Sequence, residues 1–531
     1  MKDRFMKSNA VLLPFLITYA LIVIWVAWVS DDAFITFRSI ENFVHGYGLV
    51  YNFGERVQTF THPLWMLLQS SVHALTSWLQ PPFRLNQLFF WNILLSLALS
   101  LSTVALYAFK VARSSKIAVL GLLVLSLSKA FVDYSTSGLE NPLSHFLAVC
   151  FFGYFLLGNR DDRRYAIGLS FLAALATLNR MDTILLYLPA LGWVVWQSQN
   201  RQKTILLMLS GSVPLVFWEL FSIFYYGTPF PNTASAKLDN GIQTMTLLEQ
   251  GMHYFLNSLR LDTITLTVIA VAVAAAAFSK NLHRNAIALG IALYLAYALY
   301  IGGDFMSGRY FSLPLLVAVI LLSTFEIEST RLFWVSLATV LFIGLLPFVT
   351  MIERRPTYGQ NRENNLVFLD SRKIADERLV YRDRTGLRVA IKGDSPKVVY
   401  SQDVWKYSPG YPREVHLVGA MGLNGYRDGP KVHVIDVNGL ADPLIARMPL
   451  KDTQNFRIGH FHHIIPEGYE ETLASGMNLI RDENIALYYD KLSYVIKGPL
   501  WEWGRLLEIW NLNRGSYDPL LENISIEQAV Q

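Results

Sequence analysis

Long apolar runs recur along the first 350 residues of the chain and are separated by short polar segments. A helix needs about 20 apolar residues, within a range of roughly 17–25, to cross the hydrocarbon core of a bilayer. The runs therefore predict a multi-pass α-helical membrane protein with about 11 transmembrane helices. The predicted spans lie near residues 10–29, 87–109, 117–131, 142–157, 166–179, 183–197, 204–226, 263–279, 285–301, 310–325 and 332–350.

The positions of Lys and Arg predict the orientation, because loops rich in these residues stay on the cytoplasmic side. The first apolar run lacks a small-residue cleavage site, so we interpret it as a retained anchor rather than a signal peptide. We expect a membrane protein with a cytoplasmic N-terminus and a C-terminal domain on the outer side. The residues that set this orientation are Lys2, Arg4, Lys7, Lys110, Arg113, Lys116, Arg160, Arg163, Arg164, Arg201, Lys203, Lys280, Arg284 and Arg331.

Whether residues 62–79 cross the membrane decides on which side each of the following basic loops lies. The apolar residues of this segment recur at helical spacing, while Gln69, Ser70, His73 and Thr76 share the other face. A helix with two such faces can lie in the membrane interface instead of crossing the bilayer. We interpret the segment as interfacial, because a crossing would move the basic loop at 110–116 to the outside. The apolar residues are Leu64, Leu67, Leu68, Val72, Leu75, Trp78 and Leu79.

Composition supports a membrane part followed by a domain of ordinary polarity. Charged residues make up 16% of the chain and hydrophobic residues 53%, whereas soluble proteins are about 25% charged. Residues 351–531 contain 23 Lys or Arg and 24 Asp or Glu, which is the usual density. The net charge of +4 gives no reason to expect nucleic acid as a partner. The single cysteine, Cys150, excludes an intramolecular disulfide and a cysteine-based metal site.

We divide the chain into a transmembrane domain at 1–350, whose first outer loop is 30–86, and a periplasmic α/β domain at 351–531. In the second domain, strand-like runs at Val415–Val418 and Val432–Val437 alternate with Gly/Pro turns and helical stretches. The unusual polar residues of the first domain gather in the predicted outer loops. These loops are 30–86, 132–141, 180–182, 227–262 and 302–309.

An acidic pair, Asp31 and Asp32, follows the first span. Such a pair can simply be the solvated end of a helix, or it can hold a divalent cation through oxygen ligands. It can also supply a base, because a carboxylate here could accept a proton from a sugar hydroxyl and its charged neighbour would tune its pKa. The surrounding loop adds Arg38, Asn52, Glu55, Arg56 and His62.

Three short outer segments carry the next candidates. Asp304 and Arg309 lie in GGDFMSGR, where the glycines allow a ligand to approach the backbone closely. Arg180 and Asp182 lie in LNRMD, and Glu140 lies in SGLENP. Ionisable residues at the edge of a span are often functional. The alternatives are local ion pairs, Asp304 with Arg309 and Arg180 with Asp182, and for Glu140 a helix N-terminal acid favoured by the helix dipole.

A further candidate is the segment YYGTPFPNTASAK, residues 225–237, in which two prolines and Asn232 set a turn. Lys237 then places a cation beside the membrane surface. A lipid phosphate would suit it, although an interfacial lysine can also merely extend its amine towards water. Arg56, Arg180 and Arg309 are rival phosphate partners, because an arginine fork pairs bidentately with phosphate oxygens.

In the C-terminal domain, GLADPLIAR contains Asp442 and Arg447, and RIGHFHH contains His460. Asp442, Arg447 and His460 are our candidates for contact with an acceptor. The aromatic residues of this domain can stack on sugar rings, but core packing alone explains most of them. A zinc site at His460, His462 and His463 is disfavoured, because H-x-H-H without another ligand fits none of the usual zinc sets.

These motifs resemble a known family. The run DDAFITFRSIENFVHGYGLVYNFGERVQTFTHPLW resembles the first outer loop of polyprenyl-phosphate-sugar-dependent glycosyltransferases with the GT-C fold. GGDFMSGR, YYGTPFPNTASAK, SGLE and DVNGLADPLIAR…RIGH resemble the AftB-like terminal arabinofuranosyltransferases of mycobacterial arabinan and related enzymes that arabinosylate type IV pilin. The resemblance implies that Asp31 or Asp32 is the catalytic carboxylate and that a lipid-phosphate donor enters laterally between spans.

The resemblance implies an enzyme that moves a glycosyl unit, by preference a pentofuranose, from a polyprenyl-phosphate donor to a glycan or pilin-like acceptor. Arg180, Lys237 or Arg309 would stabilise the leaving phosphate. Glu140, Asp182, Asn232 and Asp304 join the donor-binding candidates. A same-fold transferase of another lipid-linked sugar, such as a hexose or aminopentose, stays open. A lipid-linked sugar transporter is disfavoured, because only Glu219 and His145 suggest a polar path through the bilayer.

Overall fold

The computed structural model describes residues 2–238, 241–352, 369–396, 399–400, 404–406, 410–522 and 524. Contacts divide the chain into two compact units. The first unit comprises residues 1–30, 89–215 and 244–396, and the second comprises residues 31–88, 216–243 and 397–531. The predicted division at residue 350 follows membrane topology rather than contacts, and it stays a prediction.

Most described residues lie in helices, as the apolar periodicity predicts. In chain order, the elements are α1 (Lys2–Val26), α2 (Asp31–Val44), α3 (Pro63–Thr76), α4 (Gln87–Leu106), α5 (Ser115–Leu127), α6 (Lys129–Asp133), α7 (Asn141–Leu157), α8 (Arg163–Asn179), α9 (Ile184–Gln197), α10 (Arg201–Gly211), α11 (Val213–Tyr226), α12 (Asn232–Leu238), α13 (Thr244–Leu261), α14 (Thr263–Phe278), α15 (Leu282–Tyr300), α16 (Arg309–Leu322), α17 (Thr330–Ile352), α18 (Glu377–Thr385), α19 (Leu387–Lys392), β1 (Glu414–Val418), α20 (Met421–Asp428), β2 (Val432–Asp436), α21 (Tyr469–Ser475), α22 (Glu483–Lys497) and α23 (Trp503–Asn513).

Polar side chains fix where several of these helices begin. The Asp162 carboxylate accepts a hydrogen bond from the Arg164 backbone N–H at the start of α8, at 2.9 Å. The Asn281 side chain accepts from the backbone N–H groups of His283 and Arg284 at the start of α15. A cap of this kind satisfies N–H groups that have no partner within the helix. The caps therefore mark where polar loops give way to apolar helices.

In the first unit, α16 lies at the centre of the packing. Its residues from Phe311 to Leu321 are all buried, and it contacts α7, α14 and α15. A helix that is apolar on every side is stable only when it is enclosed. Because α16 begins at Arg309, this packing fixes the position of a predicted site residue.

Two helical segments are long and apolar enough to span a membrane by length and composition alone, namely Gln87–Val111 and Leu282–Tyr300. The helix pairs α10–α11 and α13–α14 are each long and apolar enough when taken together, but they bend by 55° and 111° between their two helices. If each bent pair is one span, the described residues contain up to four candidate spans. The predicted single span at 204–226 is thus broken at Ser212, and the predicted loop at 227–262 contains the whole of α13. The total of 11 spans stays a prediction.

The second unit contains a β–α–β segment at the predicted place. Strands β1 and β2 pair in parallel, with Glu414 opposite Val432 and Val418 opposite Asp436. Parallel neighbours require a crossover connection, and α20 supplies it. Every residue of β2 is buried, and Ile435 joins an apolar core with Leu444, Tyr469, Tyr488 and Leu492. Both strands confirm the predicted runs, whereas a larger α/β domain stays a prediction.

Helix α3 matches the segment predicted to lie in the interface. Its polar side chains Gln69, Ser70 and His73 are buried in the protein, while Leu75 and, just beyond the helix, Trp78 are exposed. The apolar side therefore faces away from the protein, which is the arrangement an interfacial helix requires. Whether it lies in the interface stays a prediction.

Candidate functional site

The acidic pair begins α2, and its two members have different surroundings. Both carboxylate oxygens of Asp31 accept backbone hydrogen bonds, at 3.0 Å from the N–H of Gly422 and at 2.9 Å from the N–H of Leu423. These groups belong to the first turn of α20, where unpaired N–H groups and the helix dipole favour an anion. A Cβ atom on Gly422 would lie 2.0 Å from the Asp31 carbonyl oxygen. Asp31 thus holds α2 against α20, and Asp32 follows it in the next position of the helix.

Arg38 attaches the same helix to the β–α–β segment. Its side chain is fully buried and donates from Nε to the Tyr51 carbonyl at 2.8 Å and from Nη2 to the Val432 carbonyl at 2.7 Å. A further bond runs from Nη1 to the Gly425 carbonyl, and the guanidinium lies 4.5 Å from the Tyr51 ring centroid. Each hydrogen bond offsets part of the cost of burying a charge. Arg38 is therefore a positioning residue for α2 and its acidic pair.

Five predicted residues of the first unit form one ionic cluster, which we call the Glu140 cluster. The Glu140 carboxylate, 1% exposed, contacts Arg180 at 3.0 Å and Arg309 at 3.1 Å. Arg180 also pairs with Asp182 at 2.8 Å, and Arg309 lies 3.5 Å from Asp304. Both local ion pairs considered from the sequence are therefore present, and Glu140 joins them. The cluster holds three carboxyl groups for two guanidinium groups.

Aromatic residues that the sequence did not single out complete this cluster. The Arg180 guanidinium lies 4.3 Å from the centroid of the Tyr310 ring. The Tyr254 hydroxyl accepts from the Tyr310 backbone N–H at 3.2 Å and donates to the Met306 carbonyl at 3.0 Å. Gly303 has a φ of +77°, and a Cβ atom there would lie 2.4 Å from Tyr254. Glycine is therefore required at position 303, both by the backbone conformation there and by the Tyr254 side chain that packs on it.

A second buried ionic cluster of the first unit escaped the sequence analysis. Lys129 pairs with Asp133 and, at 3.1 Å, with Asp376, and Arg378 lies 2.7 Å from the other oxygen of Asp133. Two cations face two carboxylates, so the charges are matched. Lys129 lies at the end of an apolar run, and this position hid it among the predicted spans.

Candidates from three separate segments line one cavity of the second unit, which we call the Arg56 cavity. Arg56, Asn232 and Arg447 lie in its wall together with apolar residues of α22. The Asn232 amide is fixed by donation to the Gly439 carbonyl at 2.7 Å, and Nη1 of Arg447 donates to the Pro443 carbonyl at 2.7 Å. The other residues of the wall are Val57, Gln58, Tyr226, Gly227, Thr228, Pro443, Leu492, Val495, Ile496, Leu512 and Asn513.

Lys237 belongs to a group of cationic side chains. The His460 imidazole is partly buried, and its pKa is lowered to about 3 by burial and then by the positive charges of Arg457, Lys237 and His462. His463 is fixed by donation from Nδ1 to the Met448 carbonyl at 2.7 Å. Among the described residues, no three His, Cys, Asp or Glu side chains are grouped so that they could hold a metal ion.

Asp442 is buried inside the second unit. One carboxyl oxygen accepts from the N–H groups of Leu444 and Ile445 at 3.0 and 2.9 Å, and the Tyr469 hydroxyl lies 2.9 Å from both oxygens. Burial and, secondly, the charge of Glu55 raise its pKa to about 7. The carboxyl group therefore holds the turn of GLADPLIAR, and its role towards an acceptor stays a prediction.

The raised pKa makes stability depend on pH. The folded protein holds this proton between the ordinary value of 3.8 and about 7, whereas the unfolded chain releases it. Stability is therefore expected to fall as pH rises through this range, by up to about 1.4 kcal/mol per pH unit. Asp442→Asn should flatten the slope measured by denaturation between pH 4 and 7, and the exposed Asp490→Asn should not. Equal slopes for wild type and Asp442→Asn would contradict the assignment.

The sequence of this chain is similar to those of known glycosyltransferases. The family described as dolichyl-phosphate-mannose-protein mannosyltransferase matches residues 78–222. The terminal β-(1→2)-arabinofuranosyltransferase of Corynebacterium glutamicum is 26% identical over 82% of this chain and 72% of its own length. The Mycobacterium tuberculosis protein of the same name is 26% identical over 83% of this chain and 81% of its own.

Among solved structures, the oligosaccharyltransferase of Archaeoglobus fulgidus aligns with a TM-score of 0.42 at 12% identity. The alignment covers 80% of this chain and 62% of that chain. The sequence matches are to glycosyltransferases, and they agree with a membrane protein that carries apolar helices. The resemblance of this chain to the terminal arabinofuranosyltransferases, predicted from its motifs, is confirmed.

Proposed function

We propose that the protein transfers an arabinofuranosyl unit from a polyprenyl-phosphate donor to a hydroxyl group of a glycan or pilin-like acceptor at the outer face of the bacterial inner membrane. The observation that carries the proposal is the similarity to two terminal arabinofuranosyltransferases over more than four fifths of the chain. The polar candidates at the outer ends of predicted spans support chemistry at the surface rather than transport through the bilayer.

Asp32 is the residue to which we assign the base. Asp31 uses both carboxylate oxygens to bind the first turn of α20, so its role is to position α2. Asp32 would take the proton of the acceptor hydroxyl as that oxygen attacks the anomeric carbon. The bond from the anomeric carbon to the phosphate oxygen then breaks, and polyprenyl phosphate leaves with the electron pair. This displacement inverts the anomeric carbon, whereas retention would require the carboxylate itself to attack first.

Among the rival cations, Lys237 is our choice for the leaving phosphate. Arg180 and Arg309 already share three carboxyl groups in the Glu140 cluster, which weakens the attraction of a further anion. Lys237 instead lies where it and Arg457 both act as positive charges on His460. A cation at this position would stabilise the negative charge of a leaving phosphate. Arg56 stays a second candidate, because it lines a cavity together with Arg447.

Replacing Lys237 by Met tests this choice. The loss of a charged hydrogen bond corresponds to about 1.5–3 kcal/mol, so kcat/KM for the donor is expected to fall by roughly 10- to 100-fold. Lys237→Arg should recover part of the activity, and the exposed Lys451→Met serves as the matched control. The assignment fails if Lys237→Met and Lys451→Met have the same kcat/KM.

The function itself is tested with purified protein in nanodiscs, polyprenyl-phosphate arabinofuranose and a panel of glycans and pilin peptides. The expected result is a pentose mass shift of one acceptor, and the configuration of the new bond then reports inversion or retention. Parallel reactions with EDTA or added Mg²⁺ test whether a divalent cation takes part. Donor binding without transfer would point to a missing acceptor, whereas the absence of both would remove the proposal.

One observation favours a second candidate, a same-fold transferase of a lipid-linked hexose. The family match at residues 78–222 is to proteins described as mannosyltransferases. Polyprenyl-phosphate mannose and an aminopentose donor therefore belong in the same assay. A hexose mass shift with no pentose shift would replace arabinofuranose as the sugar while leaving the assignment of Asp32 intact.

A further inference from the structure

Helix α23 of the second unit has an apolar side that none of the described residues covers. Trp503, Leu507 and Trp510 follow each other at intervals of four and three residues and are 79%, 53% and 65% exposed. Trp501, just before the helix, is 85% exposed. Large apolar side chains grouped in this way are rare on surfaces that face only water. The side chains therefore require an apolar or interfacial partner.

The opposite side of α23 is firmly attached to the protein. The fully buried Arg505 donates from Nε to the Val495 carbonyl at 2.7 Å and from its two Nη atoms to the carbonyls of Phe224 and Tyr225 at 2.8 and 2.9 Å. The Asn513 amide donates to the Gly227 carbonyl at 2.7 Å. Carbonyls at the end of a helix lack partners within it. Arg505 supplies such partners to α11, and it thereby fixes α23 at the end of that helix.

The exposed side of α23 continues the apolar surface of α11. Helix α11 and the preceding helix α10 form a bent pair that is together long and apolar enough to span a membrane. The Trp501 ring packs on Phe224, near the end of α11, with ring centroids 4.7 Å apart. The exposed apolar side chains of α11 in the second unit are Val216, Phe217, Leu220 and Ile223. One apolar surface therefore runs from a candidate span onto a helix that carries two exposed tryptophans, with a third, Trp501, just before it.

We propose that α23 lies in the membrane–water interface of the leaflet in which α11 ends, with Trp501, Trp503, Leu507 and Trp510 among the lipid head groups. Tryptophan is enriched at this depth, because its ring is apolar and its N–H is polar. An amphipathic helix binds an interface through its buried apolar area. Arg505 holds the helix in the orientation that presents this side. The proposal concerns how the C-terminal part of the chain meets lipid, and it is independent of the sugar transferred.

The experiment places one spin label at a time on the full-length protein in nanodiscs, in a background that carries Cys150→Ser. Labels are attached through Leu507→Cys and Trp510→Cys on α23, and through Glu471→Cys on the exposed side of α21 as the control. We expect oxygen to relax the two α23 labels more than a water-soluble nickel complex does, and the reverse at position 471. Equal behaviour at the three positions would overturn the proposal.

Two further outcomes would also overturn it. Protection of the α23 labels from both reagents would mean that another protein or a second copy covers the helix. A change on adding acceptor glycan, without oxygen accessibility beforehand, would mean that the tryptophans stack on sugar.

A charge variant, Leu507→Glu, supplies the confirming contrast. With the label at Trp510→Cys, it should shift the balance of collisions from oxygen towards nickel. Arg505 keeps its hydrogen bonds to the carbonyls of Phe224 and Tyr225 in this variant, so the attachment of α23 to α11 is unaltered. An unchanged balance in a folded Leu507→Glu protein would contradict a lipid contact.

Discussion

Asp32→Asn is expected to reduce glycosyl transfer by about 10²- to 10⁴-fold, the usual contribution of a positioned general base. The amide keeps the size of the carboxylate but cannot accept the proton of the acceptor hydroxyl. Donor binding and thermal stability should change little, since Asp31 and Arg38 hold α2 in place. The measurement is kcat with a saturating acceptor, together with the melting temperature of each variant.

Asp31→Asn is the matched control at the neighbouring position. Its amide nitrogen would meet one of the two N–H groups of α20, so one hydrogen bond is lost and a repulsive contact replaces it. This variant should lose stability, by about 1.5–3 kcal/mol for a charged hydrogen bond, with a smaller fall in kcat. Formate should restore activity to Asp32→Ala but not to Asp31→Ala. A dead Asp31→Asn beside an active Asp32→Asn would exchange the two roles.

Glu140→Gln is expected to destabilise the first unit, by about 3–5 kcal/mol if the cluster behaves as other buried ion pairs do when one partner is removed. The reason is that Arg180 and Arg309 both contact this carboxylate, which is 1% exposed. Asp182 and Asp304 stay in place, so the fall should lie near the lower limit. The measurement is the free energy of unfolding in mixed micelles, compared with wild type.

The matched control for this prediction is an exposed ion pair of the same unit. Arg113 and Glu326 lie 3.3 Å apart, and their side chains are 53% and 66% exposed. Surface pairs contribute about 0–1 kcal/mol, so Glu326→Gln should be nearly neutral. If Glu140→Gln and Glu326→Gln cost the same, the Glu140 cluster does not hold the unit together.

The sequence predicted local features well, because they depend on neighbours in the chain. The helical runs, the two strands and the amphipathic α3 all follow from periodicity over a few residues. The local pairs Arg180–Asp182 and Arg309–Asp304 were among the alternatives that the sequence offered, since their partners are two and five positions apart.

The long-range features could not be predicted, because no local pattern encodes them. Asp31 meets the N–H groups of α20 across nearly 400 residues. Glu140 contacts Arg309 across 169 positions, although each residue alone looked like a local acid or a local pair. Lys129 lies in an apolar run that predicts a span, so the sequence did not single it out. Its partner Asp376 lies in a segment with many charged residues, where one further acid does not stand out. These contacts depend on how the helices pack in three dimensions, and that packing cannot be derived from the pattern of a single sequence.

The position of α23 has a consequence for how substrate is encountered. Leu512 and Asn513, at the end of this helix, also line the Arg56 cavity, together with Gly227 and Thr228 just after α11. With α23 in the interface, this cavity lies at the depth of the head groups. A lipid-borne substrate would then reach it by two-dimensional diffusion within the leaflet. The rate of capture would follow the mole fraction of the carrier among the lipids, and diluting the membranes in buffer would leave it unchanged.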